Sequence, residues 1–324
     1  MYKVYCTDYD YADLNIEKNI YSNYAVEFIP LQCKSEDDLI ILARDADGLH
    51  NQYLKITEKT FENLKNLKVI ARYGVGLDNI EIEQAKNHNI KVKNVPDYCV
   101  DEVSNHCLSM LLSFLRKLKR SDAMIRDGIW DFNKLRPIHE FGYYTVGIIG
   151  FGKIGSALGK KLISLGFNKI LVYDIDRQVI QKFEFKDKVF FSELAPLLSN
   201  SDFIVLNLPL NKNTYHLINK DNINLLKSDA TIISAARGGI ISETDLFNFL
   251  KNNPDSDAGL DVLEQEGENV KKNELLKLDN VIFSPHIAYY SEEALIRLRQ
   301  CTSFNVLAEL LGNNIEKEWI IERS

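Results

Sequence analysis

Arg237, Glu266 and His286 are residue types that together suit the reduction of a carbonyl. A guanidinium polarises a carbonyl oxygen and pairs with a neighbouring carboxylate through its planar fork. An imidazolium donates the proton that the reduced oxygen needs, and a carboxylate beside the ring favours its protonated form. Taken singly, each has a blander reading: a surface salt bridge, a solvated loop acid, a turn histidine. Their positions tie them together. Arg237 follows the apolar run 231–236, Glu266 lies just past 258–262, and His286 follows 281–284 and Pro285. In a doubly wound sheet the C-terminal ends of such strands line one crevice, where ligands bind.

The elements that would position them are organised around residues 144–155. Val146 to Ile149 reads as a buried parallel strand feeding Gly150-x-Gly152-x-x-Gly155, and 153–165 runs at helical spacing. Gly150 permits the tight turn, Gly152 lets a pyrophosphate approach the backbone, and Gly155 lets helix and strand pack closely. A second strand, 169–173, ends in Asp174, 19 residues beyond Gly155 (174 − 155), where an acid accepts from a ribose 2′-OH. That acid favours NAD over NADP; Arg177 is the residue that could argue otherwise. The alternative is a glycine-tolerant turn without cofactor. The run 203–210 predicts another buried strand with Pro209 just past its end, beside the path of a cofactor ring or ribose.

Before this core, strands are expected at 3–7, 25–29, 69–71 and 90–95, and helices at 13–22, 57–66 (Thr57 as N-cap) and 83–87. Residues 39–43 form a short apolar run, with turn punctuation at 45–48. Arg72-Tyr73-Gly74-Val75-Gly76 follows a strand, and its backbone N–H groups could cradle a carboxylate with Arg72 adding charge. The alternative there is a plain strand-to-helix turn. A long helix is expected at 101–118. His106 inside it reads as a packed or capping residue rather than a catalyst. Residues 121–141, with Trp130 and Phe132, read as irregular and suit a domain or subunit boundary. Further helices are expected at 219–226 and 243–250, and strands alternating with helices indicate parallel α/β sheets.

With 324 residues the chain suits two domains, and a net charge of −7 argues against nucleic acid or an anionic membrane as partner. No apolar run approaches the roughly 18 residues needed to span a bilayer, and the N-terminal residues do not resemble a signal peptide. Five scattered cysteines without a C-x-x-C pair suggest a reducing cytoplasm, no disulfide frame and no metal site.

In this order, Ala71 to Ile80, Asn94-Val95-Pro96, the Gly150 loop, Ala236-Arg237-Gly238-Gly239, Gly259 to Glu266 and Ser284-Pro285-His286 resemble the D-isomer-specific 2-hydroxyacid dehydrogenases. The resemblance covers nearly the whole chain. Residues 94–99, 127–131 and 286–291 look most like the C-terminal-binding-protein-like branch. It implies two doubly wound parallel-sheet α/β domains, a Rossmann NAD-binding domain inserted into a discontinuous flavodoxin-like substrate domain. The boundaries would be 1–97 for the first part of the substrate domain, 98–292 for the dinucleotide-binding domain, and 293–324 for a linking helix and return. The implied activity is NAD-dependent interconversion of a small 2-oxo acid and its D-2-hydroxy acid, with Arg237, Glu266 and His286 catalytic. Arg72, Tyr73, Gly74, Val75, Gly76 and Tyr289 would bind substrate. Val103, Gly150, Phe151, Gly152, Lys153, Ile154, Gly155, Asp174, Pro209, Thr214, Ala235 and Asp261 would bind NAD. A homodimer through the cofactor domain is also implied. Two departures stand out: Gly267 where a proline usually follows the catalytic Glu, and Tyr289 where the branch's corepressors carry Trp. The alternatives are a dinucleotide-sensing, corepressor-like module and a phosphoglycerate dehydrogenase, for which Arg72, Arg44 and Lys55 are candidate phosphate ligands.

Overall fold

The computed structural model describes residues 1–312, apart from the side chain of Lys182; the expected return of 314–321 to the first domain falls outside the described residues. The chain divides into two compact units, Met1–Cys99 together with the chain from Ser291, and Val100–Tyr290.

In the first unit, β1 (Tyr2–Cys6), β2 (Val26–Pro30), β3 (Gly48–Asn51), β4 (Val69–Arg72) and β5 (Lys91–Lys93) form a parallel sheet in the order β2-β1-β3-β4-β5. One face is covered by helix Glu292–Leu311, whose Phe304, Val306, Leu307 and Leu310 pack with Val4, Val69 and Ala71. Leu39, Ala43, Phe61 and Leu64 cover the other. The expected punctuation near 45–48 is followed at once by β3, a strand the sequence reading passed over because His50 and Asn51 look like loop residues. The apolar run 39–43 instead belongs to helix Glu36–Leu42, which opens with a Ser35/Asp38 capping box. Only Leu39 of that helix is buried.

The second unit carries β6 (Thr145–Ile149), β7 (Lys169–Tyr173), β8 (Val189–Phe191), β9 (Phe203–Leu206), β10 (Thr231–Ser234), β11 (Asp257–Leu260) and β12 (Val281–Phe283). Their order is β12-β11-β10-β9-β6-β7-β8, all parallel, so the winding reverses between β6 and β9. Central strands β6, β9 and β10 are buried at every position, which explains their unbroken apolar runs. Three expectations need correction. The helix beginning near 101 is Val100–Leu115, and Lys117 in a left-handed conformation separates it from a second helix, Leu118–Arg126, in a stretch read as partly irregular. The expected helix at 219–226 shrinks to a single turn, Ile223–Leu225. There Asn219 and Asn222 donate to the carbonyls of His216 and Leu217, local bonds that compete with helix. Edge strand β8 and helix Leu194–Asn200 were not anticipated.

Candidate active site

The glycine loop joins β6 to helix Lys153–Ser164. Gly150 sits at φ +89°, and a Cβ there would lie 2.5 Å from the Asn207 carbonyl oxygen. Gly152 caps the helix without a side-chain bond, and a Cβ added to it would meet nothing within 4 Å. Protein therefore leaves open the volume above the helix N-terminus, where a pyrophosphate fits against the backbone N–H groups of the helix start. Asp174 follows β7 and accepts from Phe151 N–H (2.7 Å) and Asp176 N–H (3.0 Å), which holds its carboxylate at the loop. Arg177 pairs with Glu193 and lies over the Phe191 ring at 5.2 Å, so the arginine that could have favoured a 2′-phosphate has partners of its own. Residues at the loop and past β7 thus fit NAD.

The other residues expected at the cofactor are spread over the same unit. Phe151 is buried edge-to-face against Phe183, and Val103 is buried in its helix. Lys153 and Ile154 open helix Lys153–Ser164. Thr214 Oγ1 donates to the Pro209 carbonyl (2.7 Å) and accepts from Asn211 N–H (2.8 Å), closing the loop after β9. Ala235 is half-buried just past β10.

Arg237, Glu266 and His286 follow the C-terminal ends of β10, β11 and β12, which are neighbours in the sheet. His286 Nδ1 lies 3.0 Å from Glu266 Oε2. Burial alone would raise the Glu266 carboxyl, but the hydrogen bond and charge of His286, a Leu263 backbone bond and the Arg237 charge hold it below its ordinary value. Arg237 Nη1 donates to the Ala236 carbonyl at 2.8 Å. The Tyr289 ring stands edge-on to His286, centroids 6.2 Å apart. Gly267 adopts φ +72°, which proline cannot reach, so a proline could not take this turn after the acid.

Asp261, expected at the cofactor, has a side chain 0% exposed. Its carboxylate accepts from Ser284 Oγ and from the N–H groups of Ile287 and Ala288, beneath the turn that carries His286. Position within a strand-end motif marked Asp261 as important, but only the fold shows what it holds.

In the first unit, the loop after β4 offers less than the sequence suggested. Tyr73 N–H donates to Asn51 O (2.8 Å) and Gly74 N–H to Arg72 O (3.0 Å). The N–H groups of Val75 and Gly76 meet no acceptor among the described residues, so the expected cradle narrows to two. Arg72 Nε donates to Gln52 O at 3.3 Å. A buried network missed by sequence reading anchors this loop. Tyr73 OH donates to Glu17 (3.0 Å) and meets His50 Nδ1 (2.6 Å), and Arg299 donates to Glu17 through Nε and Nη2 (2.8 and 2.6 Å). The signal was a charged residue on an otherwise apolar helix face and a His in a buried strand.

Among the described residues no group of His, Cys, Asp and Glu is arranged to hold a metal ion, and no helix is long and apolar enough to cross a membrane.

A glycine loop at a sheet's switch point, an acid after the next strand, and Arg, Glu and His at three adjacent strand ends define a nicotinamide-dependent oxidoreductase. Residues 108–288 match the model for the D-isomer specific 2-hydroxyacid dehydrogenase NAD binding domain. The chain is 37% identical over 261 residues to a glyoxylate reductase of Pyrococcus horikoshii, covering 78% of this chain and 76% of that one. It is 36% identical over 261 residues to a hydroxypyruvate reductase of Thermotoga maritima, covering 80% and 83%. The crystal structure of a D-lactate dehydrogenase from Aquifex aeolicus, complexed with NAD and lactic acid, superposes with a TM-score of 0.84 at 26% identity, over 99% of this chain and 100% of that one. This chain belongs to the D-isomer specific 2-hydroxyacid dehydrogenase family. It is an NAD-dependent enzyme that interconverts 2-oxo and 2-hydroxy acids. The resemblance to the C-terminal-binding-protein-like branch rests on sequence motifs alone.

Proposed function

We propose that the chain reduces glyoxylate, hydroxypyruvate or a 2-oxo acid of similar size with NADH, and runs the reverse reaction with NAD. Bound NADH supplies the hydride. Arg237 pairs with the substrate carboxylate and polarises the carbonyl. His286, held through Nδ1 by Glu266, presents Nε2 to the carbonyl oxygen and gives it a proton; in the oxidative direction it takes the proton back. Glu266 keeps the ring oriented and balances the imidazolium charge. The Val75 and Gly76 N–H groups hold the substrate carboxylate with Arg72 beside them, and Tyr73 and Gly74 set the turn that presents them. Tyr289, edge-on to His286, restricts the substrate side chain, which supports a small one.

Gly150, Gly152 and Gly155 shape the phosphate loop, with Phe151, Lys153 and Ile154 beside it. Asp174 takes the ribose, and Val103, Pro209, Thr214 and Ala235 line the remainder. We assign residues 1–97 with 293–324 to substrate and 98–292 to the cofactor. The exposed Trp130 (90%) and Phe132 (65%) support a homodimer through the stretch 121–141 of the cofactor domain, and the cytoplasm suits five free cysteines. The observation that carries the reading is the His286–Glu266 pair at 3.0 Å. Following NADH oxidation against a panel of 2-oxo acids, with chiral analysis of the product, tests it. Turnover of small members to the D-product is expected. No turnover of any would leave a dinucleotide-binding module.

A further inference from the structure

The turn that carries His286 stands on a buried polar chain that starts in helix Val100–Leu115. His106 Nε2 lies 2.8 Å from Ser284 Oγ and 3.5 Å from Asp261 Oδ1. Ser284 Oγ bonds the same carboxylate oxygen. The proton positions follow from the acceptor at the end of the chain. A carboxylate only accepts, so the single hydroxyl proton of Ser284 points to Asp261, and its oxygen accepts from His106 Nε2–H. Asp261 also receives the Ile287 and Ala288 N–H groups at 3.0 Å, and its carbonyl receives His286 N–H at 2.8 Å.

His286 sits at φ +52°. A non-glycine residue keeps that left-handed conformation only where its surroundings hold it. Here the surroundings are the Asp261 acceptors, and the Asp261 carboxylate is aimed by Ser284 and, through it, by His106. The three residue types are those of an acyl-transfer triad. The order of bonds is wrong for that chemistry, because the hydroxyl proton faces the carboxylate and not the imidazole.

We propose that His106 is a positioning residue for the acid–base step: through Ser284 it orients Asp261, and so fixes the turn that aligns His286 with Glu266. The proposal rests on the reading of His286 as the acid–base group. His106 does not deliver a proton itself, since its Nε2–H is committed to Ser284.

The test is the single-turnover rate of hydride transfer from NADH to hydroxypyruvate, with NADH affinity read by fluorescence titration. His106→Leu removes the donor, His106→Gln offers an amide N–H in its place, and Ser284→Ala removes the bridge. His106→Leu is expected to slow hydride transfer about tenfold, near the worth of one net hydrogen bond, with NADH affinity unchanged. His106→Gln should recover most of the rate. His106→Leu combined with Ser284→Ala should be no slower than either alone, because both break one chain. An unchanged rate in His106→Leu, no recovery in His106→Gln, or additive losses in the pair would overturn the proposal. His286→Ala is measured alongside. If it is inactive while the His106 variants behave as wild type, this inference fails and the acid–base reading stands. Full activity in His286→Ala removes that reading and this proposal with it.

Discussion

Mild acid should loosen the first unit because His50 cannot take a proton where it sits. The residue is fully buried, with Nδ1 2.6 Å from Tyr73 OH and Nε2 2.7 Å from Tyr21 OH. Tyr73 OH gives its proton to Glu17, so it accepts from His50 Nδ1–H, and Nε2 accepts from Tyr21. The neutral ring is satisfied at both nitrogens, and burial brings its pKa from 6.5 down to about 3. A folded pKa below the unfolded one means the stabilisation is fully present above about 6.5 and is lost as pH falls from there towards 3. At about 1.4 kcal/mol per pH unit, roughly 2 kcal/mol should be gone by about pH 5. Native-state hydrogen exchange of the β3 and β4 amides, corrected for intrinsic rates, reads the opening free energy at about pH 7 and about pH 5. His50→Gln, which cannot titrate, should lose about 2 kcal/mol less than wild type over that interval. Equal losses in the two proteins would refute the argument.

Replacing Asp174 by Ala should narrow the preference for NADH over NADPH, since the carboxylate both accepts from a 2′-OH and repels a 2′-phosphate. Comparable kcat/KM with the two cofactors in wild type would contradict this. Gly152→Ala should cost little melting temperature, because its Cβ meets no protein atom within 4 Å, yet weaken NADH binding about tenfold by entering the phosphate path. Undiminished affinity would place the pyrophosphate elsewhere. Arg237→Lys should raise KM and lower kcat together, by roughly 10- to 100-fold in kcat/KM, since an ammonium lacks the planar fork. Wild-type kinetics would reduce Arg237 to a structural role.

Much of the fold was legible because buried parallel strands are written as unbroken apolar runs: 146–149, 203–206 and 231–234 need little more than periodicity. Helix Glu292–Leu311 was expected only through the family resemblance, as the linking helix of 293–324; its Ser291 cap comes from the structure. Reading failed where polar side chains do buried work. His50 and Asn51 look like a loop and form a fully buried strand, because their partners Tyr21, Tyr73 and Thr7 come from distant sequence. The three strand-end residues Arg237, Glu266 and His286 stood out by type and position, and so did the glycine loop. His106 did not, because an isolated histidine on an amphipathic helix gives no hint of a serine 178 residues away. The loop at 72–76 was found, but the internal donations of Tyr73 and Gly74 are set by strand ends and a tight turn that no local pattern encodes.

In the proposed mechanism His286 moves the proton and Glu266 governs when it can. The most direct test is the pH dependence of kcat/KM for 2-oxo acid reduction in wild type beside Glu266→Gln. Glu266 bonds Nδ1 at 3.0 Å and is held below its ordinary pKa, so it stays a carboxylate through the working range. Losing that charge makes the imidazolium harder to keep, so the alkaline limb of the reduction profile should move to lower pH. An unmoved limb with activity intact would make Glu266 a solvated loop residue and contradict the assignment of the pair.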